Sequence, residues 1–412
     1  MKKVELLAPA GDLERLKIAF IYGADAVYIG GEIFGMRSAA KNFNFDDMKE
    51  GVEFAHNLGK KVFVTINIIP RSEELSQLPP YLLELEKIGV DAVIISDPGI
   101  LSVVKNTIPN MEIHISTQAS TSNSMTAKFW YNQGAKRVVT ARELSFEETR
   151  AIRNNVPDDM DIEAFVHGAM CMSYSGKCVI SNYTTGRDAN RGACAQPCRW
   201  KYDLVMENQG HYDKVLEDLD SSFFFNSKDL CMIEYIPELI ESGITSFKIE
   251  GRMKTAYYVA TTVRAYRMAI DKYYEDPKNF KFNPIWLEEL KKGSHRDYST
   301  GFYFDKPDSN AHNYENASYI RNYDFIGIVK DYDKKNDLYI VEQRNKMNVN
   351  DKIEIIGPYK ETMNGEILEM YDENGEKIDS APHARQIVKM KLDVKVDKNY
   401  MLRKPIVSIN VI

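Results

Sequence analysis

From the N-terminus to about residue 275, short apolar runs rich in Val and Ile alternate with longer stretches whose apolar residues recur at helical spacing. Five of the runs are introduced in one way, by a glycine and a few polar residues: Gly23 before 26–30, Gly59 before 62–66, Gly89 before 92–95, Gly134 before 137–140 and Gly243 before 246–249. Glycine after the last helical turn supplies the left-handed residue that closes a helix, and short β-branched runs between helices read as buried parallel strands. With further runs at 4–8, 112–116 and 161–166 the pattern predicts eight strands, and helices over 12–22, 46–57, 79–88, 99–106, 122–133, 145–154, 230–242 and 255–273. Eight βα units fit an α/β fold of the closed (β/α)8 TIM-like barrel type better than an open doubly wound sheet. In such barrels working residues gather where strands end and βα loops begin. Those ends are polar or glycine-rich here, among them Asn67, Gln118, Arg142-Glu143, His167-Gly168 and Glu250-Gly251-Arg252.

One connection breaks the rhythm. The seventh βα segment, 168–242, is 75 residues long and holds all five cysteines, and a long insertion on the working face is more often functional than filler. Beyond the eighth helix, 276–323 reads as a charged connector. Short alternating strands at 325–329, 338–341, 352–356, 364–368 and 387–392, separated by turn signals such as Glu373-Asn-Gly-Glu376, predict a small antiparallel β-barrel or sandwich. The 412 residues are thus expected to form a catalytic barrel over 1–275 with its 168–242 insertion, the connector, and a C-terminal β-barrel domain over 324–412.

Composition narrows the function classes. No uncharged apolar run approaches the roughly eighteen residues of a membrane span. Met-Lys-Lys leads into a strand-like segment rather than the apolar region of a signal peptide, so no membrane partner and a cytoplasmic, reducing location are expected. A net charge of −7, from 53 basic and 60 acidic residues, argues against indiscriminate nucleic-acid binding but leaves room for a local basic site. Residues 171–201 are such a place: Lys177, Arg187, Arg191, Arg199 and Lys201 face Asp188 alone, five cations less one acid, or +4.

Cys171, Cys178, Cys194 and Cys198 in that segment follow the spacing C-x6-C-x15-C-x3-C. In a reducing compartment such a group points to metal ligation rather than disulfides. Zinc knuckles ordinarily present C-x2-C pairs, so an iron–sulfur cluster is favoured over structural zinc, and nearby cations would offset its negative charge. The same arginines could equally face a polyanionic substrate or belong to an ordinary solvated loop. Cys231, at what reads as a helix start, is expected to be a core thiol.

The segments Glu163-Ala-Phe-Val-His167-Gly-Ala-Met-Cys171 and Gly176-Lys-Cys178-Val-Ile-Ser181 resemble the signature of the collagenase-like peptidase family, the group catalogued as peptidases of unassigned mechanism. So do Leu7-Ala-Pro-Ala-Gly11, Ala26-Val-Tyr-Ile-Gly30, Ser116-Thr-Gln-Ala-Ser120, Gly192-Ala-Cys194-Ala-Gln-Pro-Cys198-Arg199-Trp200, Asn226-Ser-Lys-Asp229 and Lys248-Ile-Glu-Gly-Arg252. The resemblance covers essentially the whole chain and is greatest to a tRNA-hydroxylating branch, which works with prephenate to convert the wobble uridine of certain tRNAs to 5-hydroxyuridine. Other members act on a ribosomal RNA cytidine or in oxygen-independent ubiquinone hydroxylation. The resemblance implies a 4Fe-4S cluster on Cys171, Cys178, Cys194 and Cys198, prephenate as a small dicarboxylate co-substrate, tRNA as partner, and a barrel with a C-terminal β domain. It also brings a paralogous partner chain into view.

On the seventh strand Glu163, Phe165 and His167 alternate onto one face. Pointing inward, they would set His167 at the barrel mouth to move a proton near neutral pH, with Glu163 deeper as the second catalytic candidate. The alternative is a hydrogen-bonded structural histidine and a paired, buried carboxylate. A dicarboxylate needs cationic forks, and Arg252, Lys248 and Arg142 are the candidates; the alternative is ion pairs with Glu143 and Glu250 that tie loops together. Gln118 and Asn67 could read a base edge or an amide. Arg187, Arg191, Arg199, Tyr183 and Trp200 offer a charged and aromatic track for RNA, a composition that ordinary loops share. Three functions are therefore weighed. The first is an iron–sulfur RNA hydroxylase and the third an RNA-binding protein with a structural metal site. The second is a peptidase, for which the chain has no Gly-x-Ser-x-Gly elbow or His-Glu-x-x-His helix, and whose Cys171 nucleophile could not also hold a cluster.

Overall fold

The computed structural model describes residues 3–36, 42–203, 205–208, 211–214 and 222–406. Parts of the expected insertion (204, 209–210 and 215–221) and the last residues of the expected C-terminal domain (407–412) lie outside the described residues. Strands β1 (Glu5–Pro9), β2 (Ala26–Gly30), β3 (Lys61–Ile66), β4 (Ala92–Ile95), β5 (Glu112–Ile115), β6 (Arg137–Val139) and β7 (Asp161–Ala169) pair in parallel in chain order. The long segment after β7 contributes a hairpin, β8 (Val205–Asn208) with β9 (His211–Lys214), and then β10 (Asp229–Cys231). Next, β11 (Ser246–Ile249) pairs with both β7 and β1, which closes the expected eight-stranded parallel barrel.

Helices α1 (Leu13–Ile21), α2 (Phe45–Asn57), α3 (Leu78–Ile88), α4 (Pro98–Thr107), α5 (Ser124–Asn132) and α6 (Phe146–Arg153) fill the first six crossovers. Helix α7 (Ile180–Thr185) belongs to the cysteine-bearing segment, and α8 (Ile236–Glu241) and α9 (Ala256–Glu275) follow β10 and β11. The helix starts are written locally: the side chains of Asp12, Asn44, Asp97, Asn123, Ser145 and Thr255 each accept a first-turn backbone N–H. The helix expected over 230–242 is divided. β7 outruns the barrel, and its free end at 167–169 pairs antiparallel with β10, which satisfies backbone groups that would otherwise be buried unpaired. Helix α8 begins only at Ile236, with Pro237 in its first turn.

After α10 (Pro284–Lys291), the short strand β12 (Tyr298–Ser299) pairs with β10. β13 (Tyr323–Asp333), β14 (Leu338–Gln343), β16 (Lys352–Ile356), β17 (Met363–Tyr371), β19 (Ile387–Leu392) and β20 (Met401–Pro405) form a closed antiparallel barrel, flanked by the two-stranded ribbon β15 (Met347–Asn348) and β18 (Ser380–Ala381). The apolar pattern gives no sign of β20, because a strand that contains Arg-Lys-Pro does not read as core. Arg403 is nonetheless fully buried. It donates to Glu289 of α10 at 2.8 and 2.9 Å, to Glu354 of β16 at 2.7 and 2.9 Å, and to the Tyr257 hydroxyl at 3.2 Å. Arg264 of α9 reaches the same Glu289 at 2.9 Å, and the Tyr22 hydroxyl donates to Asn399 O at 2.9 Å, so buried polar bonds join the two barrels. Among the described residues no helix is long and apolar enough to cross a membrane.

Burial alone would raise the Glu289 carboxyl, but the Arg403 and Arg264 cations outweigh it and hold it to about 2. Replacing Arg403 by Met removes the cation shared by buried Glu289 and half-buried Glu354, which keep Arg264 and Lys292 as partners, and is expected to cost about 3 kcal/mol in urea unfolding near neutral pH. Because the folded value is depressed, the stabilisation is present above the ordinary value of 4.5 and is lost as pH falls toward about 2. The gap between wild type and Arg403→Met should therefore narrow over that window.

Candidate active site at the barrel mouth and the cysteine loop

Glu163 is fully buried inside the barrel, where Arg137 donates to it at 2.9 Å and Lys248 at 2.6 Å. Arg137 continues to Glu5 at 2.6 Å and Asp161 at 3.4 Å, so one guanidinium ties β6 to β1 and β7. Burial pushes the Glu163 carboxyl up, yet the Lys248 and Arg137 charges hold it below the ordinary value. Burial also pulls the Lys248 ammonium down, against the pull of Glu163. Its Nζ lies 4.5 Å from the centre of the Tyr28 ring and 5.4 Å from that of Phe165.

Lys248 belongs to the wall of a cavity of about 50 Å³ at the barrel mouth, with Thr65, Asn67, Gln118, Arg142, Glu250 and Arg252 among the other lining residues. Arg252 donates to Thr65 Oγ1 at 3.2 Å and Asn42 Oδ1 at 2.7 Å, and a Cβ at Gly30 would collide with its guanidinium, which is why β2 ends in glycine. Asn67 donates to Ser116 Oγ at 3.1 Å, while its own buried Oδ1 has no hydrogen-bond partner among the described residues. Arg142 lies over the Phe165 ring at 4.2 Å and donates to Ala169 O at 3.2 Å; its buried Nε is likewise unpartnered among the described residues.

A second cavity of about 100 Å³ is lined by Cys171, Cys178, Cys194 and Cys198, and Met36, Gln118 and Arg142 line both cavities. The cysteine loop rests on the barrel at Gly176. That residue has φ +77°, and a Cβ there would strike the Gln118 carbonyl oxygen, so conformation and space both require glycine. Asn190 donates to Cys178 O at 2.7 Å, and the Gln196 N–H points at Cys194 Sγ at 3.4 Å. Burial pushes the Cys198 thiol up to about 11 against the nearby Arg199 charge, and burial raises Cys171 against Arg142. A soft metal centre would draw off those protons, since ligating thiols are deprotonated. Among the described residues no three Cys, His, Asp or Glu groups meet as the site of a single ion; the thiols surround a cavity, and four soft donors so arranged fit a multi-atom cluster.

His167 stands elsewhere than expected. The β7–β11 register sets Phe165 opposite Lys248 and His167 opposite Ile249, a bulge that breaks the alternation after Phe165. The imidazole turns outward among Tyr258 and Tyr266 of α9 and Tyr298 of β12, with ring centres 6.0, 5.5 and 5.5 Å away. It lines neither cavity. Burial lowers its pKa to about 3, aided by the Lys254 and His295 charges.

Two arginines expected to face substrate are committed to protein. Arg191 binds Glu74 at 2.5 and 2.8 Å and Ile69 O at 2.9 Å. Arg199 donates to Asn226 Oδ1 at 2.6 Å, Met170 O at 2.8 Å and the Ser227 carbonyl. Cys231 lies on β10 rather than on a helix, buried opposite His167 and away from the quartet, its thiol raised to about 12 by burial. Tyr28, Met36 and Thr65 also line the cavities; Tyr28 lies in the Ala26-Val-Tyr-Ile-Gly30 motif, Thr65 could have been found from its place near the end of β3, and Met36 has neither charge nor motif to announce it.

Comparison with known proteins matches residues 11–313 to the model of peptidase family U32 and residues 321–403 to that of the peptidase family U32 C-terminal domain. The chain is 46% identical over 403 residues to tRNA hydroxylation protein P1 of Bacillus subtilis, covering 98% of this chain and 95% of the relative. It is 36% identical to tRNA hydroxylation protein P of Escherichia coli, covering 98% and 96%. Over 277 residues it is 42% identical to 23S rRNA 5-hydroxycytidine C2501 synthase of Escherichia coli, covering 66% of this chain and 40% of that one.

The caged imidazole yields a direct test. His167 should stay neutral and show no titration by NMR between about pH 5 and 8, and a midpoint near the ordinary 6.5 would contradict the aromatic cage.

Proposed function

The chain belongs to peptidase family U32, and from that premise we propose that it is an iron–sulfur RNA hydroxylase that acts on C5 of the wobble uridine of tRNA, with prephenate as oxygen donor. The names of its relatives support RNA hydroxylation as the class of activity. The observation that carries the reading is the wall of Arg142 and Gln118 common to a four-thiol cavity and a cationic one.

Cys171, Cys178, Cys194 and Cys198 would hold the cluster, which when bound supplies redox and soft Lewis-acid chemistry beside that wall. The remaining work falls to the chain's own residues. Arg142 and Arg252 offer guanidinium N–H groups to the carboxylates of a small acid, and Lys248, steadied by Glu163, sets a fixed cation on the wall. Asn67 Oδ1 and the Gln118 amide offer hydrogen bonds to a hydroxyl or a base edge. Chemistry at C5 requires the uridine to leave its stack, and the cysteine loop seated on Gln118 roofs the site. A peptidase reading has less support: no histidine lines either cavity, and burial holds Cys198 toward the protonated form.

Protein purified without oxygen should be brown and carry about four irons per chain; Cys178→Ser should lose them and Cys231→Ser should keep them. Zinc in place of iron would overturn the cluster. Nucleoside mass spectrometry of tRNA from a deletion strain should show 5-hydroxyuridine derivatives restored by the wild-type chain and not by Cys194→Ser. Arg142→Leu should raise KM for the small acid roughly tenfold or more.

A further inference from the structure

The rim of the cysteine cavity exposes side chains that are ordinarily buried or half-buried. Val179 caps α7 at its N-terminus and Tyr183 lies one turn on; they are 69% and 92% exposed and form one strip on the helix surface. Tyr174, 55% exposed, lines the cavity itself, and its carbonyl accepts the Lys177 N–H at 3.0 Å in the turn that leads to Cys178. The strip and the cavity therefore share an edge. Lys177 and Arg187 flank it, both exposed, and among the described residues neither is paired with a carboxylate; Arg187 Nε donates only to Ala193 O at 3.1 Å. Arg191 and Arg199, the other arginines of this basic segment, are turned inward to protein partners.

Exposed aromatic rings between uncompensated cations suit an unstacked polyanion, whose bases have π-faces for the rings and whose phosphates meet the charges. We propose that this rim is the platform for the RNA strand next to the target nucleotide. Tyr174 and Tyr183 stack the flanking bases, Lys177 and Arg187 hold phosphates, and the displaced base is directed past the cysteine loop to the wall of Gln118 and Arg142. The proposal rests on the RNA reading above and adds the surface that receives the strand.

Anisotropy of a fluorescent anticodon stem-loop RNA with uridine at the wobble position, titrated with the full-length protein, tests it. Tyr183→Ala and Tyr174→Ala should each weaken binding roughly tenfold, and Tyr183→Phe should retain it, because the ring is what stacks. Lys177→Gln with Arg187→Gln should lower the slope of log affinity against log salt by about 0.7 per cation removed. Tyr183 projects into solvent, so its loss should leave the thermal midpoint unchanged; if an alanine variant unfolds, the salt slope of the glutamine pair decides. Wild type that binds RNA with every variant binding equally well overturns the platform and spares the RNA reading, whereas wild type that binds no RNA overturns both. Variants that bind RNA normally but no longer self-associate in sedimentation would assign the rim to a second copy of the chain and overturn the proposal.

Discussion

A carboxylate sealed inside a barrel needs partners, and the arrangement of the parallel barrel depends on how Glu163 obtains them. An isolated ion there would be many kcal/mol uphill, and removing one partner from such a group typically costs about 3–5 kcal/mol. Arg137 and Lys248 neutralise it from neighbouring strands, and Arg137 extends the set to Glu5 and Asp161. Many barrels of this type fill their interior with layers of branched aliphatics. This one keeps a small apolar cluster (Leu7, Ala26, Tyr28, Phe63, Ala92 and Ile94) and buries the Glu163, Arg137 and Lys248 charges as well. One consequence is that Lys248 presents a cation to the mouth cavity in a fixed position, with little rotamer freedom left to lose when an anion arrives.

The strand that carries Glu163 also organises what lies above it. β7 runs past the barrel, bulges after Phe165, pairs its end with β10 and leads directly into Cys171. The bulge keeps Glu163 and Phe165 in the barrel and turns His167 into the aromatic layer under α9. Phe165 in turn supports Arg142, one of the residues that line both cavities. A single strand thus sets the floor, the support of the dividing wall and the first thiol, so the cationic cavity and the thiol cavity are adjacent by construction.

The basic segment that carries the cysteines has two jobs. Arg191 and Arg199 are internal struts that hold the loop to the barrel through Glu74 and Asn226. Lys177 and Arg187 remain at the surface beside exposed aromatics. The C-terminal barrel is fastened from the opposite direction, by Arg403 and Tyr22, to α9, α10 and the end of α1.

The sequence by itself determined what depends on local pattern. Glycine-closed helices followed by β-branched runs specify eight strands and the barrel, side-chain caps set the helix starts, and the cysteine spacing marks four thiols as a group. Period and spacing are short-range properties, and burial of one face follows from them directly. The tertiary structure decided the rest, because it depends on which residues meet across long stretches of chain. Glu163 finds Lys248 85 residues away, and Arg403 finds Glu289 114 residues away. Nothing near Arg191, Arg199 or Arg403 in the chain announces an acid or a carbonyl waiting for it. A bulge leaves no trace in hydrophobic alternation, so strand period alone places His167 on the barrel face while the fold turns it outward under α9. The wall formed by Arg142 and Gln118 exists only because the cysteine loop, more than 25 residues further along, folds back onto the barrel mouth.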